Sequence, residues 1–140
     1  MEIHRILVPI DFSQYSERAY QQALSFAKQE NAQILLLHVL LSSDLAFGDT
    51  PFSMREQLEK ELQIDAEQRL KSMVKGQVIP QETLAVWGNP PLEICRIAKE
   101  RDINLIVMGT HGRTGLTHMF IGSVAERVMR HAPCSVLIIK

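Results

Sequence analysis

Five short apolar runs, separated by stretches of helical periodicity, limit this chain to one kind of fold. Ile6-Leu7-Val8 is the first run, Ile34 to Leu40 the second, Leu105 to Met108 the fourth and Val136 to Ile139 the fifth. In the third, Leu84 and Val86 alternate before Trp87-Gly88. A strand made of consecutive apolar residues has no side free for water, so it belongs in a sheet covered on both faces. The intervening stretches supply the covers. Ala19, Tyr20, Ala23, Leu24 and Ala27 recur at helical spacing behind Ser13 or Ser16 as N-cap. Ser53-Met54-Arg55-Glu56 reads as a capping box, and Met54, Leu58, Leu62, Ala66, Leu70 and Met73 carry an amphipathic helix to Gly76. Asn89-Pro90-Pro91 opens a third helix with Ile94, Cys95, Ile97 and Ala98 on its apolar face, and Ser123 to His131 is the fourth. Leu41 to Phe52 reads as a loop.

Strands alternating with helices and no shift in composition predict a single doubly wound α/β domain over residues 1–140. Right-handed crossovers give a five-stranded parallel sheet in the order 3-2-1-4-5. That order reverses between the first and fourth strands, so a ligand crevice is expected at their carboxyl ends, where Asp11 and Gly109 sit. A formal net charge of -1, with no basic cluster interleaved with aromatics, argues against nucleic acid and against a membrane surface. Met1 to Pro9 lacks the pattern of a secretory leader, and no apolar run approaches the roughly 18–20 residues that cross a bilayer. Cys95 and Cys134 have neither CxxC spacing nor partner ligands and read as buried free thiols, which fits a reduced, cytoplasmic compartment.

The densest cluster of unusual residues is Met108-Gly109-Thr110-His111-Gly112-Arg113-Thr114-Gly115-Leu116, followed by Gly122-Ser123. Four of the seven glycines fall between Gly109 and Gly122, in the spacing G-x2-G-x9-G-[ST]. Strand, glycine-rich loop and helix N-terminus together form an anion cradle from backbone N–H groups. Gly109 turns the chain off a buried strand, Gly112 can adopt positive φ, and Gly122 and Ser123 stand at the positive end of the helix dipole. The alternative is a glycine-rich turn with Ser123 capping its helix. The pattern is not a Walker A loop, and no dinucleotide fingerprint follows the first strand. Arg113, the loop's permanent cation, could fork onto phosphate or lie solvated.

Asp11 could accept a hydrogen bond from an adenine amino group or a ribose hydroxyl, or it could simply form an Asx turn into the first helix. Backbone groups near Val39 and Leu40 could read a base edge or be plain core. His111 and His118 share the loop without metal-ligand spacing. His38 reads as a core histidine, and His4 and His131 as surface residues. No nucleophile, base and orienter fall together, and carboxylates near the cradle are scarce, so any magnesium would arrive on the nucleotide.

Ile6-Leu7-Val8-Pro9-Ile10-Asp11, His38-Val39, the segment from Met108 to Leu116, Gly122 to Val128 and His131 to Leu137 resemble the universal stress protein family, over essentially the whole chain. The resemblance implies the nucleotide-binding branch that keeps the glycine motif. It implies ATP, ADP or AMP held by Pro9, Asp11, Val39, Met108, Gly109, Gly112, Arg113, Gly122, Ser123 and Val124. Asp11 and Val39 would meet adenine, Met108 and Gly109 the ribose, and Gly112, Gly122, Ser123 and Val124 the phosphates. Phe12 departs from the small residue often found after that aspartate. Family members commonly dimerise through the last strand, and Ser135 to Ile139 would be a flat, uncharged edge that calls for a partner. The function expected is a cytoplasmic, ATP-binding stress regulator with slow or no hydrolysis and an unknown protein partner. The alternatives are a nucleotide-independent dimeric interaction module and an ATP-using enzyme of the same broad fold.

Overall fold

A computed structural model describes residues 1–41, 44, 47–111 and 121–140. Five strands run parallel in one sheet: β1 (Arg5–Pro9), β2 (Gln33–Leu41), β3 (Gln81–Gly88), β4 (Leu105–Gly109) and β5 (Ser135–Ile139). Their order is β3-β2-β1-β4-β5, as the crossover argument requires. The helices among the described residues are α1 (Gln14–Glu30), α2 (Phe52–Val74), α3 (Pro90–Glu100) and α4 (Ser123–His131).

The alternation of side chains along β1 explains why both faces need covering. Ile6 and Val8 point into one core with Tyr20 and Ala23 of α1 and Leu70 of α2, while Leu7 points into another with Ile94 and Ile97 of α3 and Val128 of α4. All three β1 side chains are fully buried. Burying each contributes about 1.5–3 kcal/mol.

Helix starts follow local chemistry. Ser13 Oγ accepts the Ser16 N–H at 3.2 Å, settling which serine caps α1. Asn89 caps α3, with Pro90 and Pro91 in the first turn where no N–H is required. The expected capping box at Ser53 does not form. Pro51 is the N-cap of α2 at φ -56, and its carbonyl accepts from Met54 and Arg55, so Ser53 is already inside the helix. The amphipathic face of α2 is also shorter than its periodicity implies. Ala66 and Leu70 are buried, but Met54 and Leu62 are exposed, even though Gln63, next to Leu62, still donates from Nε2 to the Ala85 carbonyl of β3 at 3.0 Å. In the segment expected to be loop, Asp44 and Phe47 have helical backbone.

The cysteines are half-buried rather than buried, and both are free thiols. Burial pushes both thiols above their ordinary range. For Cys134 the neighbouring Cys95 adds to the rise, and a backbone hydrogen bond at Ile106 opposes it. Among the described residues, no helix is long and apolar enough to cross a membrane.

Candidate functional site at the carboxyl ends of β1, β2 and β4

Register places the predicted residues beside one another. Pro9 pairs with Leu37, and Leu7 pairs with Ile106. Carried forward, both registers set Asp11 abreast of Val39 on one side and Thr110 on the other. Past the end of β1, the Ile10 N–H donates to the Leu37 carbonyl at 2.8 Å. The His38 Nδ1–H donates to the Ile10 carbonyl at 2.6 Å, so the ring is satisfied inside the core as expected. These two bonds hold the approach to Asp11 rigidly against β2.

Asp11 adopts the Asx turn: its Oδ1 accepts the Ser13 N–H at 3.0 Å. Between them Phe12 has φ +64, a left-handed conformation that costs an ordinary residue about 1–2 kcal/mol. Its ring is held by two neighbours, the His38 ring at 4.6 Å and the Arg69 guanidinium at 3.9 Å from the ring centroid. Nothing local in the sequence signals either contact.

On the β4 side, Gly109 is required by packing. A Cβ there would stand 2.9 Å from the Tyr15 Cβ and 3.0 Å from its backbone, so glycine lets α1 lie directly on the end of β4. Met108 is buried in the second core, which leaves only its backbone for a ligand. Thr110 is buried, and its Oγ1 shares a hydrogen bond of 2.9 Å with His111 Nδ1. The His111 ring lies 5.3 Å from that of Tyr15. Tyr15 escaped the sequence reading because only the packing of α1 on β4 brings it there.

Gly122 closes the segment. Its N–H donates to the Thr110 carbonyl at 2.6 Å, and a Cβ would meet that oxygen at 2.9 Å. Gly122, not Ser123, is the N-cap of α4, so the helix begins with no side-chain cap and with Ser123 exposed in its first turn. Val124 is half-buried against the second core, as is Val39. The structure thus brings Pro9, Asp11, Val39, Met108, Gly109, Gly122, Ser123 and Val124 to one end of the sheet. Gly112, Arg113 and His118 lie outside the described residues.

Phe47 lies 6.3 Å from Trp87 at the end of β3. Arg55 gathers the approach to α2, donating from Nε to the Thr50 carbonyl at 2.8 Å and from Nη2 to the Gly48 carbonyl, with Asp44 at 3.5 Å. Two clefts lie beside or away from the site. One of about 410 Å³ lies alongside Phe12, Ser13 and Arg69. The other, about 250 Å³, lies at the opposite end of the sheet around Arg5, Gln33, Gln81 and Arg101.

Comparison with known proteins agrees with this architecture. The family model described as the universal stress protein family matches residues 2–140. The chain is 33% identical to universal stress protein MJ0531 of Methanocaldococcus jannaschii over 138 residues, which is 97% of this chain and 81% of the relative. The solved structure of MJ0577 from the same organism superposes with a TM-score of 0.88 at 27% identity, covering 100% of this chain and 97% of that one. A universal stress protein from Archaeoglobus fulgidus, solved in complex with dAMP, superposes with a TM-score of 0.69 at 25% identity over the full length of both chains. With the sheet order and the sequence match in agreement, the chain belongs to the universal stress protein family.

Proposed function

We propose that this protein is a stress-response regulator that holds an adenine nucleotide, ATP, ADP or AMP, at the carboxyl ends of β1, β2 and β4. One observation carries the reading: Gly122 holds the N-terminus of α4, which has no side-chain cap, against the end of β4, at the same end of the sheet as Asp11. First-turn N–H groups and a helix dipole at one end, and a carboxylate at the other, suit a phosphate tail and an amino-bearing base. The dAMP complex of the Archaeoglobus fulgidus relative favours adenine. In this reading Asp11 and Val39 meet the base, and the backbones of Met108 and Gly109, with Pro9 beside them, face the ribose. Gly112, Arg113, Gly122, Ser123 and Val124 hold the phosphates.

Asp11 is assigned to the base, so no carboxylate in this reading activates water, and hydrolysis is slow or absent. Magnesium would arrive bound to the phosphates. The two free thiols favour a reduced, cytoplasmic setting. β5 is an edge strand of half-buried aliphatic residues, and we assign it to antiparallel pairing with a second copy.

The deciding experiment is to purify the protein without added nucleotide, denature it and identify what is released. Recovery of ATP, ADP or AMP, followed by calorimetric binding to the emptied protein, is the expected result. A second reading, a nucleotide-independent interaction module, is favoured by the steric reasons for Gly109 and Gly122 described above. It prevails if nothing is released and no adenine nucleotide binds.

A further inference from the structure

The contacts around Phe12 are elaborate for a turn residue. Its backbone is left-handed at φ +64, although it carries a full aromatic side chain. A residue in that conformation persists only where its surroundings over-determine it. Here the surroundings are two cationic or ionisable side chains from two different elements. His38, anchored to the Ile10 carbonyl at 2.6 Å, lies with its ring 4.6 Å from that of Phe12. Arg69, from the packed half of α2, sets its guanidinium 3.9 Å from the ring centroid. Arg69 is half-exposed and has a carboxylate partner, Asp65, at 3.9 Å, so it could extend into water. It lies over the ring instead, a cation–π position that a planar guanidinium takes more often than an ammonium.

Phe12 is the middle residue of the turn that aims Asp11. The Asp11 Oδ1 to Ser13 N–H bond of 3.0 Å spans it, so the backbone angle at Phe12 is part of the geometry that closes that bond. We propose that Arg69 is a positioning residue for the Asp11 carboxylate, acting through the Phe12 ring. By pinning the ring beside His38 it keeps residues 11 to 13 in the turn that presents Asp11 to a nucleobase. The inference rests on the nucleotide reading for its consequence, but the geometric coupling stands apart from it. It also connects α2, and the segment leading into it, to base selection.

The test has two arms. Without ligand, amide hydrogen exchange is compared between wild type and Arg69→Met, which keeps an apolar stem over the ring and removes the cation. Exchange at Ser13 should accelerate about fivefold or more, with Ser16, capped by Ser13 Oγ, unchanged. With ligand, ATP and GTP are titrated into wild type, Arg69→Met, Arg69→Lys, Asp11→Asn and the double variant Arg69→Met/Asp11→Asn. Arg69→Met should weaken ATP about tenfold and GTP little, so the preference for adenine falls. Arg69→Lys should recover only part of it, and the double variant should match Asp11→Asn alone. A purely structural role would weaken both nucleotides equally and leave their ratio intact, which overturns the proposal. Unchanged Ser13 exchange also overturns it. Wild type that binds neither nucleotide sinks the nucleotide reading, and the exchange arm then decides the positioning role by itself.

Discussion

Gly122 and Thr110 stand twelve positions apart in sequence and are joined by a 2.6 Å backbone hydrogen bond. The bond brackets most of the glycine motif and fixes where α4 starts relative to β4. Gly122→Val places a Cβ where the Thr110 carbonyl oxygen already lies, so the bracket must open. Calorimetry should show adenine-nucleotide affinity falling at least tenfold. The melting transition should stay cooperative, with a loss of about 1–3 kcal/mol. Wild-type affinity in a folded variant would remove Gly122 from the site.

Gly109→Ala tests packing separately from binding. Its Cβ would press on the Tyr15 backbone rather than on the end of a flexible side chain, so α1 must shift. Chemical denaturation should show a destabilisation of about 1–3 kcal/mol without nucleotide present. A neutral effect would mean that α1 can slide on β4.

The thiols predict a loss of stability on the alkaline side. Burial raises both Cys95 and Cys134, so in the unfolded chain they ionise first. The contribution is fully present below the unfolded value of about 8.5 and is lost as pH rises through the folded values. Denaturation midpoints should therefore fall more steeply above that pH than in a Cys95→Ala/Cys134→Ala variant. Parallel pH profiles for the two proteins would contradict the assignment.

Pairing through β5 predicts a mass of twice the 15.9 kDa chain by light scattering at micromolar concentration. Outward amides between Ser135 and Ile139 should exchange more slowly as protein concentration rises. A monomer with concentration-independent exchange would refute the pairing.

Much of this structure was legible in the chain. Consecutive apolar residues in β1, β2 and β4 are a direct record of burial on two faces, and Asn89-Pro90-Pro91 marks a helix start by its own chemistry. The sheet order then follows from handedness. What escaped depends on a neighbour that periodicity does not name. Met54 and Leu62 keep helical spacing, yet in the folded chain they face solvent. Ser53 looks like a cap only if the carbonyl of Pro51 is overlooked. Phe12 has no local feature that foretells positive φ, since His38 and Arg69 come from distant elements. Gly109 and Gly122 stand out in the sequence, but their steric partners, Tyr15 and the Thr110 carbonyl, appear only once the chain is folded.

The unequal packing of α2 gives the molecule a long arm. The helix is held to the sheet at Ala66 and Leu70 and, one turn earlier, at Gln63, whose Nε2 donates to the Ala85 carbonyl of β3 at 3.0 Å, while Phe52, eleven residues before Gln63, is exposed. At 1.5 Å per residue that is about 17 Å of stiff rod beyond its last hydrogen bond to the sheet. A tilt of about 5° at Gln63 therefore swings Phe52 through roughly 1.5 Å. Arg69 sits in the packed half of the helix, in contact with Phe12. Mechanical advantage runs both ways along such an arm: a slight change at the Phe12 turn is magnified at the far tip, and a load applied at the tip returns as torque on the turn.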